Sequence, residues 1–385
     1  MVLKISRLPA TSNFIADHAK FLDIQFPEDN YDNFLAIRLD DEEEGIPSYI
    51  PHVIRRIGIS EILLFCVHID DDNYSFLSTH NHSQYDSKTL FERFQFIVVD
   101  DQYVRENELS NLQFTIDAKF NTGSSIGSSN EKHIRKVYLW DAVNISNTNS
   151  DGSNGSNLDQ IKKIFPCNSL LFTLRPTEYV SAKFTLKELV GLSHSKATAG
   201  LVTYRFNHEV KSYLEYKATA ESEGDDVDVN QYYLNYETID EISKTPLSVD
   251  MAFESFNKIP AWNILPKAID IMINKLQNVR TTHTVLENSK FFKIEVKEEE
   301  HTLGSFLEQF IMTCLRQDFM DQLHECTCFY RKPYENKNYI HFTLKLPNNS
   351  KDSFGDDINK EYFDECVQKG IDLFTQIKQS YDDMN

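Results

Sequence analysis

The stretch Glu299-Glu300-His301-Thr302-Leu303-Gly304-Ser305-Phe306-Leu307 joins two elements whose patterns can be read directly. Before it, Phe291 to Val296 alternates, with Phe292, Ile294 and Val296 on one side, which is the period of a strand. After it, a helix is expected from Thr302 to about Arg316. Its apolar set is Leu303, Phe306, Leu307, Phe310, Ile311, Cys314 and Leu315, a nearly ideal helical stripe. Downstream, Tyr339, His341, Thr343 and Lys345 oppose Ile340, Phe342, Leu344 and Leu346 in a second strand near 339–346. A last helix at about 357–381 carries Phe363, Cys366, Val367, Gly370, Phe374, Ile377 and Tyr381 on one side. Gly370 costs this helix roughly 1 kcal/mol relative to Ala. The C-terminal region thus reads strand, helix, strands, helix, an α+β unit with both helices on one face of an antiparallel sheet. So small a sheet leaves apolar helix surface over for assembly.

Upstream, Pro266 to about Val279 reads as a helix with Leu265, Ile269, Met272, Ile273 and Leu276 on one face. Strands are expected at 34–38, 112–118, 169–174, 180–186 and 201–206, and a short helix running into a strand over 90–99. Pro51, with Ser48 as cap, opens a helix to about Leu63. Arg55 and Arg56 stand side by side in it, so one of them must leave the apolar face. Polar low-complexity segments occur at 121–130 and 144–158, the second of which reads as a mobile surface loop; the acidic run 40–44 reads as a solvated loop and 221–229 as a second acidic loop.

The chain has 385 residues, enough for two domains or for one with an insertion. Its net charge is -20, which argues against a protein whose main task is to grip nucleic acid. Basic residues near 331–337 alternate with aromatics and could touch a phosphate backbone, but acidic neighbours blunt that field. Six scattered cysteines, with no secretory leader, read as reduced thiols of an intracellular protein. Cys326 and Cys328, with His324 and His341 nearby, fit no structural zinc spacing, so no metal is expected there. Asp70, Asp71 and Asp72 read as a loop rather than as ligands of a hard cation. Gly123 to Ser129 lacks the lysine and the strand-to-helix setting of a phosphate loop. No nucleotide-binding, zinc-hydrolase or nucleophile-elbow pattern occurs, so no catalytic residue is nominated. No apolar run is long enough for a membrane span.

Three places carry a family resemblance. Residues 299–307 closely resemble the Glu/Asp-His-Thr-Leu-Gly-Asn-Leu-Leu signature of the small alpha-like assembly subunits of archaeal and eukaryotic RNA polymerases. Ser305 stands where Asn is usual. Cys328 to Asn336 looks like a turn of the same family, with Lys332 where His is usual. Ile50 to Ile62, with Ile54-Arg55-Arg56 at its centre, is similar to a helix of the larger alpha-like subunit, without its following proline. Arg93 matches an arginine of a later motif whose glycine and proline are absent. Val137-Tyr138-Leu139-Trp140-Asp141 resembles a strand end of the same subunit. Gly191-Leu192-Ser193-His194-Ser195-Lys196 looks like a third stretch of it, shortened by two residues before the histidine. The order of these places is the one the family has, and they cover nearly the whole chain.

In cellular enzymes the two units are separate chains. Here the resemblance is to the fused subunit of nucleocytoplasmic large DNA viruses. It implies an α+β fold of two alpha-like dimerisation units in tandem, the first carrying an inserted, mainly-β domain. The larger unit would take 1–64 and 181–280, the insertion 65–180, and the smaller unit 281–385. The dimer interface would form within the chain, from Ile54 and Ile57 against His301, Thr302, Leu303, Gly304, Phe306, Leu307, Phe310 and Phe374. Arg55, Arg56, Arg93, His194 and Lys196 would bind partners, with ordinary salt bridging as the alternative. A four-cysteine cluster known in some relatives is missing, so neither zinc nor iron–sulfur is expected.

The implied function is that of a non-catalytic scaffold on which the two largest polymerase subunits and small assembly subunits gather. No cofactor is expected in this chain, and the magnesium would lie in the large subunits. No membrane and no sequence-specific nucleic acid would be bound. The compartment would be a cytoplasmic viral factory and the virion, with the nucleus as the other choice. The competing reading is an intracellular protein-binding module unrelated to transcription.

Overall fold

The structure, a computed structural model, describes residues 4–8, 33–41, 44–120, 134–146, 155–192, 196–207, 222, 245–288, 291–333, 338–347 and 358–384. It divides into two compact units, residues 1–59, 201–254 and 261–385 in one, 60–200 and 255–260 in the other. The first unit opens with β1 (Lys4–Arg7), β2 (Phe34–Asp40) and α1 (Tyr49–Ser60). The second unit follows as β3 (Leu64–His68), α2 (Asp71–Thr79), α3 (Ser87–Phe94), α4 (Asp101–Glu106), β4 (Gln113–Lys119) and β5 (Arg135–Tyr138). It continues with α5 (Leu139–Ala142), β6 (Val143–Ser146), α6 (Gly155–Ile164), β7 (Leu170–Leu174) and β8 (Tyr179–Leu189). The chain then returns as β9 (Gly200–Phe206), β10 (Ser248–Ser255), α7 (Ile264–Thr282), β11 (Thr284–Asn288) and β12 (Phe292–Lys297). It ends with α8 (His301–Asp318), β13 (Thr327–Arg331), β14 (Tyr339–Lys345) and α9 (Ile358–Met384).

Within the first unit the same order occurs twice. β1, β2, α1, β9, β10, α7 is strand, strand, helix, strand, strand, helix, and so is β11, β12, α8, β13, β14, α9. The sheets agree as well: β1-β2-β10-β9 and β11-β12-β14-β13 both place the fourth strand beside the second. The pairs β1–β2, β2–β10, β11–β12, β12–β14 and β13–β14 are antiparallel. β12 alternates as expected and β14 does so except at Thr343, which is buried; their inward Phe292 and Phe342 each lie 5.4 Å from the Phe363 ring of α9. All three rings are fully buried, worth roughly 1.5–3 kcal/mol each. The whole expected apolar stripe of α8 is buried, and so are Gly304 and Thr302. α7 runs against α9, with an added Cβ at Gly370 only 3.4 Å from Leu276.

In the second unit, β3-β8-β4-β6 form one sheet and β5-β7 a two-stranded one. Phe114, Phe165 and Phe184 meet at its centre, with ring centroids 5.1–6.1 Å apart. The insertion holds more helix than the mainly-β domain expected from sequence. Three of its helices start on aspartate caps, whose carboxylates accept otherwise unpaired N–H groups of the first turn. Asp70 accepts from Asn73 N–H at 2.8 Å, Asp86 from Lys88 N–H at 2.7 Å, and Asp100 from Tyr103 N–H at 2.9 Å. The Asp70–Asp72 triplet, expected as a loop, is therefore a cap and first turn.

Residues 97–99 form no strand, although Ile97 and Val99 are buried. The Ile97 N–H turns back to Phe94 O at 3.1 Å, a local bond that replaces a ladder. The domain boundary expected at residue 180 cuts through β8, which pairs with β3 and β4 inside the second unit. Leu158, expected in a mobile loop, lies in α6. Stretch 121–130 and most of 144–158 and 221–229 lie outside the described residues.

Candidate functional site

Every residue from Glu299 to Gly304 is committed to a neighbour. The Lys275 Nζ of α7 donates to Glu299 at 2.7 Å, with both side chains largely shielded from solvent. Lys332 donates to Glu300 at 3.0 Å. His301 Nδ1 stands 3.2 Å from the Tyr330 hydroxyl. Thr302 and Leu303 are buried. At Gly304 an added Cβ would fall 2.4 Å from Cδ2 of Tyr330, so only glycine lets the β13 ring lie on the helix. The two motifs of the second half, residues 299–307 and 328–332, thus hold each other.

Helix α8 also meets the first half of the unit. Tyr49, in the first turn of α1, packs edge-on against Phe306 at 5.6 Å and Phe310 at 6.2 Å. Phe306 stacks on Phe310 at 5.3 Å and leans on Phe374 of α9 at 5.4 Å. Burial pushes the Tyr49 hydroxyl up to about 12, against the opposing hydrogen bond with Thr313. Ile54 and Ile57 are buried on α1. Gly58 lets α1 approach Val202 of β9 and Ile264 of α7, where an added Cβ would meet methyl groups at 3.1 and 3.2 Å.

A cleft of about 260 Å³ opens where α1 and α8 diverge. Ser48, His52 and Arg56 line it from the α1 side, Thr302, Ser305 and Gln309 from α8, and Tyr204 from β9, over a floor of Tyr49, Val53 and Phe306. Among the described residues no carboxylate lines it. Burial lowers the His52 pKa, and the Arg56 and Arg55 guanidiniums lower it further. The Tyr330 hydroxyl is raised by burial and by Glu308, with Arg56 acting in the opposite sense. The cleft places the Arg56 guanidinium beside an imidazole and several hydroxyl and amide groups, a set suited to holding hydrogen-bond acceptors.

Of the expected partner-binding residues, Arg55 and Arg56 are half-buried on α1, and Arg56 lines the cleft. Arg55 makes no hydrogen bond or ion pair among the described residues. Arg93 and Lys196 belong to the second unit. The Arg93 guanidinium donates to Leu171 O at 3.2 Å and lies 4.8 Å from the Tyr85 ring centroid. The Lys196 ammonium donates to Glu92 O at 3.0 Å and Gln95 Oε1 at 2.8 Å, and sits 4.3 Å from the Phe96 centroid. Burial lowers its pKa. His194 lies outside the described residues. Sequence reading missed Tyr49, His52 and Tyr204. The one available signal was an aromatic two residues before Pro51.

Among the described residues no group of three or more His, Cys, Asp or Glu side chains could hold a metal ion. Cys326 and Cys328 point to different carbonyls, those of Gln322 at 3.7 Å and Glu308 at 3.8 Å. No described helix is long and apolar enough to cross a membrane.

No protein-family model matches the chain. Among curated proteins, it is 24% identical over 244 residues to one from Acanthamoeba polyphaga mimivirus named "Putative DNA directed RNA polymerase subunit". The aligned region covers 59% of this chain and 52% of that protein, so the match spans about half the length of the relative.

Proposed function

We propose that this chain is a non-catalytic scaffold subunit of a DNA-dependent RNA polymerase, with both alpha-like assembly units fused in one polypeptide. The observation that carries this reading is the repeated strand-strand-helix-strand-strand-helix order in one compact unit, with the motif-bearing α8 packed on α1. Such a fold is a dimer made within one chain. Fusion replaces a bimolecular encounter with an intramolecular one at high effective concentration. The similarity to the mimivirus protein supports membership of a polymerase.

In this reading part of the surface away from the α1–α8 and α7–α9 seams receives the two largest subunits and small assembly subunits. Arg55 and Arg56 belong to the docking face beside the cleft, and Arg93, Lys196 and His194 to a second contact. Catalytic magnesium belongs to the large subunits. The site of action is a cytoplasmic viral factory and the virion, with the nucleus as the alternative.

The test is purification of the tagged chain from its native context at gentle salt. Stoichiometric recovery of two very large subunits, lost in the Arg55→Glu/Arg56→Glu variant, is the expected outcome. Recovery that survives the double reversal removes the arginines from the docking face and keeps the scaffold. A monodisperse chain with no large partner overturns the polymerase reading.

A further inference from the structure

The sheet β11-β12-β14-β13 has one face under α8 and α9 and one turned away from them. Its register fixes which side chains share the outward face. Glu287, Lys293, Thr343 and Phe329 lie on one rung across the four strands, with Thr343 buried, and Thr284, Glu295, His341 and Arg331 on the next. Lys297 and Tyr339 extend one end, Lys345 and Thr327 the other. The face carries four formal positive charges, on Lys293, Lys297, Arg331 and Lys345. Its two carboxylates are both engaged on the face itself, Glu287 by Lys293 and Glu295 by His341.

Lys297, Arg331 and Lys345 have no ion-pair partner among the described residues. This local surplus of positive charge lies in the more acidic part of the chain. The second unit holds 17 acidic and 14 basic residues and so carries -3 of the -20, leaving -17 to the first. Three cations without ion-pair partners among the described residues, all on one sheet face, give this surface a local attraction for a polyanion.

Aromatic rings alternate with these cations. Phe329 is 39% exposed and lies between Arg331, two residues along β13, and Lys345, one rung away on β14. The Tyr339 and His341 rings lie 5.4 Å apart at the other end. Same-face residues repeat about every 7 Å along a strand, and neighbouring strands lie about 4.8 Å apart. A chain following β13 and β14 would thus meet cation, ring and cation in turn. Carboxylate side chains alone would satisfy the charges but offer no stacking partner at each repeat for the rings. A polynucleotide supplies both a phosphate and a stackable base at each repeat.

We infer that the outward face of this sheet binds single-stranded nucleic acid without sequence preference, with Arg331 and Lys345 on phosphates and Phe329 under a base. This stands apart from the polymerase assignment and can fail without it. The probe is a fluorescein-labelled ten-nucleotide oligouridylate, followed by anisotropy with the full chain at 50 and 200 mM NaCl. Binding is expected at low salt, weakening about 20-fold over that range for roughly three neutralised phosphates.

Arg331→Glu/Lys345→Glu should weaken binding at least ~10-fold, and Phe329→Ala at least ~5-fold, as loss of one stacked base requires. Lys88→Glu/Lys136→Glu, in the second unit, should leave it unchanged. Thermal melts of all variants should match that of the parent chain, since the altered side chains face outward. Absence of binding at low salt overturns the inference, and so does binding indifferent to the Arg331 and Lys345 reversal. Polyglutamate displacing the oligonucleotide at equal charge, with Phe329→Ala silent, makes this a face for acidic polypeptides and overturns it equally.

Discussion

The two halves of the first unit share one order of elements and one sheet order, yet they were unequally legible. In the second half, α8 runs 18 residues and reaches β13 through the short turn Met320–Glu325. In the first half, α1 runs 12 residues and the next strand of its sheet begins only at Gly200. The second half concentrates its fastening in adjacent residues: Glu299 on Lys275, Glu300 on Lys332, His301 and Gly304 on Tyr330. The first half spreads its own over Tyr49, Gly58, Val202 and Ile264. Adjacent tasks leave a motif, and dispersed tasks leave a composition.

The sharpest way to break this contrast is at the glycines. Gly304→Ala puts a methyl group inside the Tyr330 ring contact, and a ring held between strand and helix has little room to give. A loss of about 2–3 kcal/mol is expected, typical of overpacking, read as a lower denaturation midpoint with unchanged slope. Tyr330→Ala in the same chain should return much of the Gly304→Ala cost, since the double change removes the clash. Gly58→Ala meets only methyl groups, which can shift, and should cost about 1 kcal/mol. Equal losses at the two positions would mean that α1 is as tightly fastened as α8.

The legible part of the molecule is the part whose physics is local. The α8 stripe and the alternation of β12 follow from periodicity within one element and match the structure, and β14 departs from its alternation only at the buried Thr343. Residues 97–99 have strand-like composition, but the Ile97 N–H bonds back to Phe94. Asp70 looked like a loop because a cap differs from a loop only in what its carboxylate accepts. The cleft was illegible for a stronger reason. Its walls come from α1, β9 and α8, and nothing in the spacing of His52, Tyr204 and Ser305 brings them together.

A smaller effect tests whether the halves are joined by charge as well as by shape. Lys275 and Glu299 are mostly shielded, and removing one partner takes a close counter-charge from the other. Lys275→Met should cost about 2 kcal/mol, below the range for fully buried pairs because some solvent reaches both groups. Lys275→Met/Glu299→Leu should be markedly less destabilised than Lys275→Met alone. A double variant as unstable as the single one would show that packing, and not the pair, holds this seam. On the α7–α9 seam the opposite sign is expected. Gly370→Ala meets Leu276 at 3.4 Å, an ordinary contact, so helix propensity should decide and stability should rise by up to about 1 kcal/mol. A loss there would mean a tighter crossing than that distance implies.

The smallest effect reports on the cleft itself. His52 has its pKa lowered by burial first and by Arg56 and Arg55 after it. The folded chain therefore binds this proton less readily than the unfolded chain. Its contribution to stability is complete above the unfolded value of about 6.5 and is lost as the pH falls through the lower folded value. Arg56→Gln should move the His52 titration, followed by imidazole NMR shifts, upward toward the ordinary value, and Arg55→Gln should move it less. A partner carboxylate entering the cleft should move it the same way without any mutation, because an anion there favours the imidazolium. Addition of the large subunits offers that comparison directly. If Arg56→Gln leaves the titration where it was, the Arg56 charge is neutralised by its own neighbours, and the cleft is a polar seam between α1 and α8 with no net field to offer a partner.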